Sequence, residues 1–214
     1  MTKKHIVCFG DSNTWGYNGE NATRFDDDIR WVQRMQRRLG EQYLVMEEGV
    51  NGRTTVFDDP LAEGLNGLTA LAPVLLAHQP IDLLVLMLGT NDCKERYAAS
   101  AYVITLGMQR LIMKAKSMDV WRDQPRILLM APMVMDEKLY HIPDVRDSMG
   151  PGSVEKSREL PGRYQALADE MGCHFLDSNA YVHPISYDYM HIAPECLPGF
   201  AEAVASACLK ALSP

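Results

Sequence analysis

The stretch Ile6-Val7-Cys8-Phe9-Gly10-Asp11-Ser12-Asn13 sets four apolar residues directly against a glycine and three small polar ones. A continuous apolar run of this kind suits a strand covered on both faces, as in a parallel sheet. The glycine and the polar residues mark its end and the start of a helix. Further apolar, β-rich runs occupy 44–47, 83–88, 127–130 and 174–176, and those at 83–88 and 127–130 are apolar throughout. Between the runs the period changes. Ile104, Met108, Leu111, Ile112 and Ala115 share one helical face, as do Leu160, Tyr164, Leu167, Ala168 and Met171, with Gly172 placed as a C-cap. Leu197, Ala201, Val204, Cys208 and Leu212 stripe a last helix, and weaker helical patterns cover 29–39 and 67–78. This alternation implies a three-layer α/β/α sandwich around a doubly wound parallel sheet with right-handed crossovers. No Gly/Ser tract or repeat divides the chain, so 1–214 reads as one domain.

Composition bounds the function. With 214 residues and 47% hydrophobic content, a core can form without a disulfide or metal staple. The formal charge of -7, from 28 acidic against 21 basic residues, lacks the basic footprint of a nucleic-acid-binding surface. Cys8, Cys93, Cys173, Cys196 and Cys208 are odd in number and show no CxxC spacing, which reads as reduced thiols in a cytoplasmic protein. The N-terminus has four apolar residues where a secretion signal needs about 7–15. No run reaches the roughly 20 residues of a membrane span. No HExxH, clustered His/Cys or carboxylate cage suggests a metal, and no GxGxxG or P-loop suggests a nucleotide, so no cofactor is expected.

Two segments exceed a minimal sandwich. Residues 17–30 are polar and acidic, and 134–153 form a long excursion containing Pro143, Gly150, Pro151 and Gly152. Ligands of open α/β sheets bind at the carboxyl ends of the strands, where both excursions begin. Each reads as a pocket wall, or else as a solvated loop or subunit contact; a homo-oligomer is among the expectations.

The same edge collects reactive side chains. Ser12 follows the first strand, where it can present a hydroxyl beside a helix N-terminus or simply cap the helix. The third strand ends in Gly89-Thr90-Asn91-Asp92, bringing an amide that can donate to an oxyanion. The second ends in Gly49-Val50-Asn51-Gly52-Arg53, where a glycine permits a free N–H. A serine nucleophile needs a base with an orienter, and Asp188-Tyr189-Met190-His191 supplies both on one turn. Asp177 with His183 is a rival pair, although Asp177 can equally close a turn.

These residues, in order, resemble the four sequence blocks of the SGNH (GDSL-type) hydrolase superfamily, over about residues 5 to 200. Arg53-Thr54-Thr55, Asp58-Asp59-Pro60, Leu65-Asn66-Gly67 and Trp15-Gly16 look closest to its aryl esterase/acyltransferase group. The resemblance implies a flavodoxin-like sheet of strand order 2-1-3-4-5 and metal-free ester hydrolysis. It carries Ser12 over as nucleophile, His191 as base and Asp188 as its orienter. The Ser12 N–H, the Gly52 N–H and the Asn91 side chain would form the oxyanion hole, with Gly49 competing for the glycine position. Asp11, Asn13, Trp15 and Tyr17 are assigned to substrate binding; Trp15 can equally be packing. Asn13 stands where many members carry an apolar residue, and Ile192-Ala193-Pro194-Glu195 replaces the usual small polar residue after the histidine.

The expected activity is hydrolysis of small acetyl or aryl esters through an acyl-enzyme, with transfer to alcohols where water is excluded. Apolar Met133, Val134 and Met135 after the fourth strand favour such esters over the alternative, a carbohydrate O-acetyl esterase. An alternative of another class is a flavodoxin-like module that binds a ligand without catalysis. The expected partner is a small-molecule ester, with no nucleic acid and no membrane span.

Overall fold

The computed structural model describes residues 2–213. Its main sheet has five parallel strands, β1 (Lys4–Gly10), β2 (Tyr43–Gly49), β3 (Leu83–Met87), β4 (Ile127–Ala131) and β5 (His174–Asp177), in the order β2-β1-β3-β4-β5. All five apolar runs are strands, and the order is the flavodoxin-like one the resemblance implies. The register pairs Gly10 with Gly49 on one side and with Met87 on the other, so three strands end side by side.

Strand alternation divides the apolar residues between two layers. Val7, Phe9, Leu84, Leu86 and Leu129 face α3 (Gly67–His78), α4 (Ala101–Ser117) and α6 (Ser153–Met171). Ile6, Cys8, Leu83, Val85 and Leu128 face α2 (Trp31–Leu39) and α7 (Leu197–Ala211). A fully buried side chain of this size contributes about 1.5–3 kcal/mol by leaving water. The core behind the strands therefore supplies most of the energy that holds their ends in place.

Gly172 ends α6 with φ 61°, in the left-handed region a C-cap needs. The helix starts at Ser153, well before the apolar stripe that begins at Leu160, and carries Pro161 inside it. A proline there forfeits the bond to the Ser157 carbonyl. The 134–153 excursion is largely helical, with a 3-10 turn at Glu137–His141 and α5 (Pro143–Met149). The 17–30 excursion holds a two-stranded hairpin, Tyr17–Asn18 against Thr23–Arg24.

All five cysteines are free; Cys8, Cys93 and Cys208 are buried. Burial pushes the Cys208 thiol up to about 12. Among the described residues no helix is long and apolar enough to cross a membrane, and no group of three or more His, Cys, Asp or Glu could hold a metal ion.

Candidate active site

Directly after β1, Asp11 caps the short helix α1 (Ser12–Trp15), its Oδ1 accepting from the Asn13 N–H at 2.9 Å. Ser12, 6% exposed, is thereby held at the first position of α1. Its Oγ lies 2.9 Å from His191 Nε2, and His191 Nδ1 lies 2.7 Å from Asp188 Oδ2. Asp188 Oδ1 accepts from the backbone N–H groups of Met190 and His191, both at 3.0 Å. Burial pushes the Asp188 carboxyl up, but the imidazole and these two donors outweigh it and hold it below its ordinary value of 3.8.

The first excursion sits on this relay. The Tyr17 ring packs against the His191 ring, with centroids 4.3 Å apart and planes tilted by 35°. A Cβ added at Gly19 would run into the Asp188 carboxylate, so the hairpin lies against it. Trp15 is partly exposed and lies under the Arg24 guanidinium at 5.0 Å, with its ring 6.4 Å from that of Tyr17.

The ends of β1, β2 and β3 are tied to one another by long-range contacts that the sequence analysis did not assign. The buried Arg53 guanidinium donates to the carbonyls of Gly10 and Glu48 and stacks on Phe9 at 4.1 Å. Asn91 Nδ2 donates to the Arg53 carbonyl at 3.2 Å, and buried Asp92 accepts the Thr55 N–H and hydroxyl. These contacts set Asn91 against the Gly49–Arg53 turn. Of the two competing glycines, Gly49 is consumed by packing, since a Cβ there would strike the Trp15 backbone. Gly52, at φ +84°, keeps an N–H with no hydrogen bond among the described residues. The signal for Arg53 was only a charged residue in a glycine turn, which surface turns share.

Two expectations change, and a third residue shows a contact that its position did not announce. Asn13, assigned to substrate binding, directs its side-chain amide at the backbone on either side of His191. Met133 and Met135 do not form an apolar wall: each is buried in a different one of the two cores. Their apolar character is spent on packing: strand alternation would put residues two apart on one face, so the split between the layers shows that the chain has left extended geometry beyond Ala131. The rival pair does not meet: Asp177 Oδ1 accepts from the Asn179 N–H at 3.0 Å, and the His183 side chain is 62% exposed beside Glu195.

Asp11 has a second role in the electrostatics. Its Oδ2 is buried without a partner, and burial pushes the carboxyl up to about 6, against the Asn13 N–H and the charges of His191, Arg53 and Lys94. Burial raises Asp92 likewise to about 6. With a folded pKa above the unfolded 3.8, native Asp11 holds more protons than the unfolded chain between about pH 4 and 6. Its contribution to stability is therefore full below that window and lost as pH rises through it. Asp188 has the opposite sign, stabilising above pH 4 and failing in acid. Asp11→Asn keeps the cap and removes the titration. Its melting temperature should fall less than the wild type's between pH 4 and 6, and an equal fall in both proteins would show that Asp11 titrates normally.

A sequence model described as the GDSL-like Lipase/Acylhydrolase family matches residues 8–197. Among solved structures, a carbohydrate acetylesterase family member from Sinorhizobium meliloti is 34% identical, with 98% of this chain and 99% of that one covered and a TM-score of 0.91. The native M. smegmatis aryl esterase is 31% identical over 98% of this chain and all of that one, with a TM-score of 0.89. A lipolytic G-D-S-L family member from Veillonella parvula, 16% identical over 97% of each chain with a TM-score of 0.68, shares the fold. No curated protein matches.

Proposed function

The chain belongs to the GDSL-like lipase/acylhydrolase family and is an ester-hydrolysing SGNH hydrolase, and on that premise we propose a serine esterase of small acetyl and aryl esters with Ser12 as its nucleophile. The observation that carries the assignment is the unbroken relay from Asp188 through His191 to Ser12, at 2.7 and 2.9 Å. A module that only binds a ligand has no use for it.

In this reading Ser12 Oγ attacks the ester carbonyl carbon while His191 Nε2 takes the hydroxyl proton. Asp188 stabilises the imidazolium that forms. The carbonyl oxygen becomes the oxyanion of a tetrahedral intermediate, held by the Ser12 N–H, the Gly52 N–H and the Asn91 amide. His191 returns the proton to the alkoxide, the alcohol leaves, and an acyl-Ser12 remains. Water repeats the sequence with His191 as base and releases the acid. Another alcohol in place of water gives transfer; the Tyr17 ring over His191 and the burial of Ser12 favour a site with few water molecules. We read the whole chain as one hydrolase domain, since both cores share the strands of one sheet and the second draws on residues from the first strand to the last helix.

The second reading, a carbohydrate O-acetyl esterase on the same relay, draws on the Sinorhizobium meliloti relative. The burial of Met133 and Met135 removes the argument against it. An aryl-phosphonate should label Ser12, as read by peptide mass spectrometry. A panel of p-nitrophenyl acetate, phenyl acetate and acetylated sugars, each with and without added alcohol, then ranks the substrates. Labelling at another residue would remove Ser12 from the reaction. Faster turnover of the acetylated sugars would select the second reading.

A further inference from the structure

Resting on the assignment of Ser12 and His191 above, we propose that Asn13 is a positioning residue that holds His191 within reach of the nucleophile. Asn13 is 7% exposed, and its side-chain amide brackets the histidine from both sides. Its Oδ1 accepts from the Ile192 N–H at 3.0 Å, and its Nδ2 donates to the Met190 carbonyl at 3.4 Å. The backbone of Asn13 is fixed in turn. Its N–H donates to Asp11 Oδ1 at 2.9 Å, and its carbonyl accepts from Trp31 Nε1, also at 2.9 Å.

The histidine loop needs such a hold. Its other backbone bonds run within its own neighbourhood, Ile185 to His191, Tyr189 to Ile185 and Ala193 to His183, or to the 134–153 excursion, whose Asp136 N–H donates to the Tyr189 carbonyl at 3.1 Å; none of them reaches the turn bearing Ser12. Tyr189 sits at φ 58°, a conformation that a side chain of its size rarely adopts. Apart from the His191–Ser12 contact itself, the hydrogen bonds from this loop to the turn bearing Ser12 all come from Asn13, among the described residues. One residue thus couples the nucleophile, one position before it, to the base, one position either side. An apolar side chain at 13 would fill the space but offer neither the acceptor that Ile192 needs nor the donor that Met190 needs. An aspartate would keep the first and set a carboxylate oxygen against the second.

Steady-state kinetics of Asn13→Leu and Asn13→Asp on p-nitrophenyl acetate test this, with the proton NMR resonance of the His191–Asp188 hydrogen bond as a readout independent of turnover. In Asn13→Leu kcat should fall roughly 10- to 100-fold, the loss that slight misplacement of a catalytic group produces. KM should stay within about twofold, since the lost interaction does not touch substrate, and the NMR resonance should broaden or move. Asn13→Asp should recover part of the loss; it also carries the measurement if the leucine variant fails to fold. A raised KM at unchanged kcat would make Asn13 a substrate contact and overturn the proposal. A lowered melting temperature with kcat and the resonance unchanged would leave it a merely structural residue, with the same result. Wild-type turnover by Ser12→Ala would instead overturn the serine assignment, leaving the NMR comparison to judge the clamp separately.

Discussion

Turnover of p-nitrophenyl acetate by Ser12→Ala should fall on the order of 10⁴- to 10⁶-fold in kcat, while the protein folds as before. The hydroxyl makes one hydrogen bond in the structure, to His191 Nε2. The helix that carries residue 12 is held by groups the substitution leaves alone, the Asp11 cap and the bond from the Gly16 N–H to the residue 12 carbonyl. Alanine is also the best helix former. The loss therefore falls on the chemistry and not on stability, and an unchanged melting temperature is part of the expected result. Residues that act as one relay are not additive, so Ser12→Ala with His191→Ala should be scarcely slower than either alone. Activity within a few-fold of wild type in Ser12→Ala would mean that ester cleavage runs elsewhere on the molecule.

What the sequence made legible follows from which interactions are local. Strands β3 and β4 showed because residues 83–87 and 127–131 are buried on both faces and carry no polar alternation to obscure them. Asp188 and His191 showed because their contact spans three residues, a distance that spacing alone can judge. The ties among the strand ends did not. Arg53 reaches Gly10 and Asp92 reaches Thr55 across 43 and 37 positions, and nothing near either residue announces its partner. The start of α6 was hidden for a different reason, since Pro161 imitates a boundary that tertiary packing overrides. Met133 and Met135 misled because hydrophobicity near a site looks the same whether it lines a pocket or fills a core. Asn13 carries contacts that spacing could not show: its assignment to substrate rested on its neighbour Ser12, while its amide meets the backbone of Met190 and Ile192, 177 and 179 positions away.

Asp188→Asn should lower kcat by about 10⁴, more than its small change in shape suggests. The carboxylate accepts three N–H groups: those of Met190 and His191 at Oδ1, and the imidazole at Oδ2. An amide has one acceptor oxygen. If that oxygen serves the two backbone donors, the NH₂ faces His191 Nδ1 and can be satisfied only when Nδ1 carries no proton. The proton then sits on Nε2, against Ser12, and the base has no lone pair for the hydroxyl it must deprotonate. If the amide turns over, its NH₂ opposes two backbone N–H groups in a buried site, which costs on the order of 1–3 kcal/mol for each unsatisfied donor. The first arrangement wins, so the loop keeps its geometry and the relay holds the wrong tautomer. KM should change little, and phosphonate labelling of Ser12 should slow in parallel with kcat, because both depend on the same activated oxygen. The variant should also lose the stability that wild type gains as pH rises through about 4, since Asp188 titrates below 3.8 in the folded state. A fall in kcat of less than tenfold, with labelling as fast as wild type, would show that Asp188 orients the loop without setting the protonation of His191.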